Sequence, residues 1–273
     1  MASIRRVGCR LGPRHPRARG LPACLARALA WIALASATAA CASGSVNRIS
    51  AGQEGAPGVR RVLLCPPNLV VALRPEIQSG SQPVDREVVA YLESQGREVA
   101  RLGLIEGRKA WKQAVVEAKA AGALTNAPRI FVDRLAQDHE FDVVVMPSLI
   151  VFQTQMDANN ASWDGVSRRM KMVHAPSKGI GRDDSLLSKG IATGGLSGPA
   201  WVTSLHILVF ARDGSSVFEG RGGIEFVQET DLIDGGKSFR YTLRPNSSIF
   251  QDRALLHEGV VRAFTPFLTP PEE

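Results

Sequence analysis

The run Phe141-Asp142-Val143-Val144-Val145-Met146-Pro147 places three consecutive β-branched valines after a single charge. A strand that is apolar on both faces must be covered on both, the situation of a central strand in a parallel or mixed sheet. The upstream chain supplies its neighbours. Arg61-Val62-Leu63-Leu64-Cys65 is a second apolar strand, stopped by Pro66-Pro67, and Glu98-Val99-Ala100-Arg101-Leu102 is a third. Between them Pro83 opens a helix in which Val84, Val88, Tyr91 and Leu92 recur at helical spacing, with Gly96 as its C-terminal cap. A helix from Glu106 to Ala121 brings Trp111, Val115 and Ala118 together and ends at Gly122. Another, from Pro128 to His139, stacks Phe131 over Leu135. Strands alternating with helices predict an α/β fold with right-handed crossovers.

Downstream the pattern changes. Leu149 to Met156 and Gly165 to Val173 read as half-exposed strands separated by Asn159-Asn160. Thr203, Leu205, Ile207 and Val209 alternate, Asp213-Gly214 supplies a hairpin turn, and Val217 to Val227 returns. Ser248 and Gln251 match a capping box ahead of a helix carrying Ile249, Leu256, Val260, Ala263, Phe264 and Phe267 on one stripe. The expectation is one α/β domain over residues 60–269. It has a mixed β-sheet with flanking helices, a β-hairpin in the second half and a C-terminal helix. No internal repeat is visible.

The basic balance of the chain belongs to its beginning. Of 33 Lys and Arg, seven (Arg5, Arg6, Arg10, Arg14, Arg17, Arg19 and Arg27) precede residue 41, with no Asp or Glu among them. The remainder carries 26 basic against 26 acidic residues, so the excess of +7 marks a leader and not a nucleic-acid-binding surface. Ala28 to Ala40 is an apolar run closing on small residues, too short to span a bilayer. Basic, apolar and small-residue regions in that order are the marks of an export signal, placed at residues 1–40. Arg5-Arg6 is not followed by the apolar residues of a twin-arginine signal.

Ala37-Thr38-Ala39-Ala40-Cys41-Ala42-Ser43-Gly44 resembles a bacterial lipobox, with Thr38 standing where an aliphatic residue is usual. The expectation is a diacylated Cys41 as mature N-terminus, followed by a Gly/Ser/Asn/Gln-rich flexible tether over residues 41–59. Ala42 after the cysteine resembles lipoproteins of the outer membrane. The alternative is ordinary signal-peptidase cleavage near Ala37-Thr38-Ala39 or Ala40-Cys41-Ala42, giving a soluble periplasmic protein. Of the four cysteines, Cys9 and Cys24 leave with the leader and Cys41 is consumed. Cys65 is then left as buried filler within a strand, the alternative being a Cys41–Cys65 disulfide.

Chemistry-bearing motifs are sparse. Gly235-Gly236-Lys237-Ser238 matches the end of a phosphate-binding loop, but Asp231 stands where that motif needs its first Gly. The Gly-rich stretch Gly190 to Gly198 fits neither a dinucleotide fingerprint nor a nucleophile elbow around Ser197. His139, His174, His206 and His257 are scattered without ligand spacing, and Asp183-Asp184 lacks further oxygen ligands. Glu225 and Asp231 read as solvated strand-end acids, with a catalytic pair as the alternative. No catalytic, cofactor-binding or metal-ligating set is assigned. Trp163-Asp164-Gly165-Val166 is a turn whose indole either anchors the arm to the core or offers a partner an aromatic contact. The basic residues of Ser167-Arg168-Arg169-Met170-Lys171-Met172 suit an edge strand kept from self-pairing.

The order of elements brings a resemblance. An apolar strand ending in Pro-Pro, helices, then Asp142-Val143-Val144-Val145-Met146-Pro147-Ser148, the Asp213-Gly214 hairpin and Gly222-Gly223-Ile224-Glu225-Phe226 follow one another. The pattern resembles small α/β lipoproteins of the bacterial envelope, grouped with the curli-secretion lipoproteins and the amino-terminal domain of the Tol translocation protein. The resemblance covers residues 60–268 and implies an envelope interaction or assembly module without catalysis. It transfers no site residue and no pore. The expected function is therefore a non-enzymatic envelope lipoprotein that organises another envelope component through residues 174–200 and the Trp163 arm. It has no cofactor and no nucleic-acid partner. The alternatives are a periplasmic small-molecule or glycan-binding protein, and a hydrolase built on Ser197. Cells fed a palmitate analogue are expected to label the wild type, and Cys41→Ala to abolish the label; an unlabelled, freely soluble wild type refutes the anchor.

Overall fold

Val143–Asp157 is a single strand of 15 residues at the middle of the main sheet. The computed structural model describes residues 47–49, 58–170, 172–173, 196–233 and 238–268. In chain order its elements are β1 (Arg48–Ile49), β2 (Arg61–Leu64), α1 (Ser81–Ser94), β3 (Glu98–Arg101), α2 (Leu104–Ala120) and α3 (Ala127–Asp138). There follow β4 (Val143–Asp157), β5 (Asn160–Trp163), β6 (Val166–Arg169), β7 (Met172–Val173), β8 (Gly198–Ala211) and β9 (Ser216–Phe226). The chain closes with β10 (Gln228–Ile233), β11 (Ser238–Leu243) and α4 (Arg253–Phe264).

The main sheet runs β1-β9-β8-β4-β2-β3, with β5 paired to β4 and β6 to β5. Strands β3, β2 and β4 are parallel, while β4, β8, β9 and β1 are antiparallel. The valine run thus takes its expected central place, Val62 to Leu64 aligning with Val143 to Val145. The mixed α/β fold with a C-terminal helix is the one the sequence predicts. Pro147 does not divide β4, because the strand passes straight on through Leu149 to Met156.

Each face of the sheet has its own cover. On one, α1 and α4 bury Val145, Leu149, Leu205 and Ile207 together with Val88, Leu92, Val260 and Phe264. On the other, α2 and α3 enclose Leu63, Cys65, Val144 and Met146 with Ala114, Ala118 and Phe131. The β5–β6 hairpin closes the rest of that face over Ala200, Val202 and Phe226. Cys65 is fully buried, and burial pushes its thiol pKa far upward, leaving it inert. Asp142 caps the start of β4 by accepting the N–H groups of Arg60 and Arg61, both at 2.8 Å, which holds its carboxyl below the usual carboxylate range.

The closest contact between layers is made by glycines. A Cβ on Gly222 would overlap the carbonyl oxygen of Gly259, and one on Gly220 the carbonyl oxygen of Ala263. Gly259 in turn could gain a Cβ only 2.7 Å from Ile224 Cγ1. Helix α4 therefore lies backbone to backbone on β9. From the opposite side the hairpin comes equally near, since a Cβ on Gly223 would stand 2.8 Å from Trp163 Nε1. A bulge between Thr203 and Ser204 against β9 turns Ile224 to one face and lets Phe226 reach the other.

Two local expectations change. Helix α4 begins at Arg253 under an Asp252 cap whose Oδ1 accepts from Ala254 and Leu255 N–H, while Ser248 ends a short 3₁₀ turn. The capping box is thus displaced by the stronger carboxylate acceptor. Within the tether, Arg48–Ile49 pairs with Glu219 and Phe218 of β9, and Asn47 Oδ1 accepts from Arg221 N–H at 2.7 Å. β9 would otherwise expose an open edge, and this short segment fills part of it. Among the described residues no helix is long and apolar enough to cross a membrane.

Gly222→Ala is expected to lower stability by about 3 kcal/mol or more, because neither backbone can yield to the new methyl. Gly58→Ala, with nothing within 4 Å of the added atom, is expected to stay within about 0.5 kcal/mol of wild type. Urea unfolding of both variants checks the pair; equal midpoints refute the backbone contact.

Candidate functional site

A groove of about 410 Å³ lies where β4 and β8 meet β10 and β11. Strand β9 passes into β10 through Val227, whose N–H donates to Trp201 O while its carbonyl accepts from Arg244 N–H. That residue joins the main sheet to a small second sheet of order β11-β10-β7. Strand β10 pairs antiparallel with β11, Thr230 facing Tyr241 and Gln228 facing Leu243.

Recognition groups of several kinds line the groove. The Arg74 guanidinium lies 5.2 Å from the centroid of the Trp201 ring, close enough for a cation–π contact. It is steered there by Glu76, with Nη2 2.7 Å from Oε1 and Nε 3.3 Å from Oε2, a contact that holds the Glu76 carboxyl below its ordinary range. Tyr241 and Leu243 stand 49% and 53% exposed on the same wall. Gln228, only 4% exposed, accepts Trp201 N–H at 3.1 Å through Oε1. Among the described residues its buried Nε2 has no hydrogen-bond partner. A buried donor left unspent is costly.

A buried ion pair joins residues near Val227 and Leu243 in the chain. Glu225 and Arg244 are in contact, their side chains 9% and 13% exposed, and Arg244 Nη2 also donates to Ser248 O at 3.0 Å. Arg244 thereby fastens the end of β11 to β9 and to the segment leading into α4. Glu225 is accordingly an ion-paired interior residue and not a solvated acid. Asp231 takes a separate bond from Thr242 Oγ1 at 3.3 Å.

The other residues singled out in the sequence fall elsewhere. Trp163 is 4% exposed, stacked edge-on to Phe226 at 5.2 Å, with Nε1 donating to Thr203 O at 3.3 Å. Its expected partner contact is corrected: the indole anchors the hairpin and has no surface to offer. Asp164 and Gly165 carry the positive φ values, 40° and 80°, that a tight two-residue hairpin demands. Arg168 on β6 pairs with Glu258 of α4 at 2.7 Å, tying hairpin to helix. Ser197 Oγ donates to Asp157 Oδ1 at 2.8 Å. Each described histidine on the folded domain contacts a carboxylate: His139 with Glu106, His206 with Glu219 and His257 with Glu87. Burial lowers the His206 pKa despite the Glu219 hydrogen bond. Among the described residues no group of three or more His, Cys, Asp or Glu could hold a metal ion. Cys41, His174, Asp183-Asp184, Gly235-Gly236-Lys237 and most of residues 174–200 lie outside the described residues.

The sequence reading passed over the groove because Gly235-Gly236-Lys237-Ser238 was weighed as a phosphate loop. The informative pattern is the alternation of Phe239, Tyr241 and Leu243 with Arg240 and Thr242. Comparison with family models finds no match, and neither the curated proteins nor the solved structures yield one.

Arg244→Met is expected to cost about 3–5 kcal/mol by leaving Glu225 buried and unpaired, and adding Glu225→Gln is expected to restore part of the loss. A double-mutant cycle by urea unfolding checks this; strictly additive losses refute the coupling.

Proposed function

We propose that this chain is a non-enzymatic lipoprotein of the bacterial cell envelope, anchored through an acylated Cys41, that binds another envelope protein through the groove. The observation carrying this reading is the edge position of β11 in the second sheet together with the exposed Tyr241 and Leu243 that it carries into the groove. Among the described strands β11 pairs only with β10, so its outer edge is open to a further strand. An extended polypeptide laid along that edge gains main-chain hydrogen bonds, while its side chains meet the aromatic and apolar wall. The guanidinium already seated on Trp201 occupies one face of the ring that a stacking sugar would need. Outer-membrane placement rests on the lipobox-like leader and Ala42.

A photo-crosslinking residue at position 241, introduced in intact cells, is expected to capture a protein partner. Capture is expected to fall at least tenfold with Leu243→Asp, which spoils the apolar wall, or with Leu243→Pro, which removes a backbone donor from the outer edge of β11. Crosslinks to glycan alone, or capture indifferent to both substitutions, refute this function.

A further inference from the structure

We infer that the outward face of α2 docks on an anionic phospholipid surface. On that helix Ile105, Lys109, Lys112, Val116 and Lys119 recur at alternating intervals of four and three residues, with Arg108 beside them. This spacing places all six within one exposed stripe. Ile105 is 85% exposed and Val116 61%, while all four cations are exposed. Leu104 and Leu124 extend the exposed apolar surface at the two ends of the helix.

The acidic residues of α2 are turned away from this stripe. Glu106 contacts His139 at 2.8 Å and Glu117 contacts Arg134 at 2.6 Å, both toward α3. Among the described residues no carboxylate forms a salt bridge with Arg108, Lys109, Lys112 or Lys119. The helix thus spends its acids on its own neighbour and presents four unneutralised cations outward. A negatively charged surface complements that face. The two large apolar side chains set among the cations distinguish a bilayer from nucleic acid. Between lipid headgroups Ile105 and Val116 reach hydrocarbon, whereas a phosphate backbone gives them nothing to bury. This contact is separate from the groove and does not require the acyl group.

The test uses the full chain with Cys41→Ala and with the seven leader arginines changed to Gln, so that neither acylation nor the leader's positive charge selects anionic vesicles, and every variant carries the same apolar leader run. Sedimentation compares phosphatidylcholine vesicles with vesicles containing about 30 mol % phosphatidylglycerol. The parent is expected to bind the anionic vesicles selectively and to release at about 1 M salt, where screening shortens to about 3 Å. Changing Arg108, Lys109, Lys112 and Lys119 to Gln together is expected to weaken binding several-hundred-fold, about fivefold per cation. Ile105→Ser with Val116→Ser, leaving every cation in place, is expected to weaken it about tenfold. All six positions are exposed, and thermal melts matching the parent check that the fold persists. Equal binding by the parent and the charge variant, or no preference for anionic vesicles, overturns the inference. Binding to duplex DNA in place of vesicles overturns it in favour of nucleic acid. Neither the groove nor the anchor enters the measurement, so this inference and the proposed function fail independently.

Discussion

Everything in this fold is arranged around a strand that has almost no side chains where it matters. Gly220 and Gly222 let α4 rest on β9 through main-chain atoms, and Gly223 admits the Trp163 hairpin from the other side. Interiors are close-packed, so layers whose backbones touch leave no slack for a methyl group. The contact also explains why α4, with only a modest apolar stripe, is held so firmly. Its Gly259 and Ala263 meet the sheet while Leu256, Val260 and Phe264 fill the flanks.

That constraint carries through to the surface. Beyond the glycines, the bulge redirects β9 so that Phe226 lies under Trp163 and Glu225 under Arg244. Val227 then passes the chain to the second sheet. The groove is therefore positioned by rigid main-chain geometry, and its floor, Gln228, follows directly on the strand that fixes the core. A partner of the kind proposed would meet a surface already ordered, which lowers the entropic cost of association.

The core was legible in the sequence because its signals were local and strong. Val143-Val144-Val145 had to be central, Gly96 and Gly122 had to end helices, and Asp213-Gly214 had to turn a hairpin; the structure gives each of them that place. What the sequence did not show depends on distant partners. Glu225 looks like a surface acid until Arg244 is brought to it across 19 residues, and Trp163 looks available until Gly223 makes room for it. Burial of a polar or aromatic group is decided by tertiary neighbours, which no periodicity within one segment records. The charged face of α2 was present in the sequence, but its meaning depended on knowing that Glu106 and Glu117 turn toward α3.

The short strand β1 has a consequence for the order of assembly. Asn47 and Arg48–Ile49 hold on to Arg221, Glu219 and Phe218 of β9, and Asn47 also donates to the carbonyl of Arg262 across 215 residues. Contacts of such sequence separation close only after their partners exist, and they form late in folding. Synthesis runs from the N-terminus, so these residues are made first, yet they have nothing to pair with until the C-terminal helix has been made. The earliest part of the domain to emerge is the last to find its place.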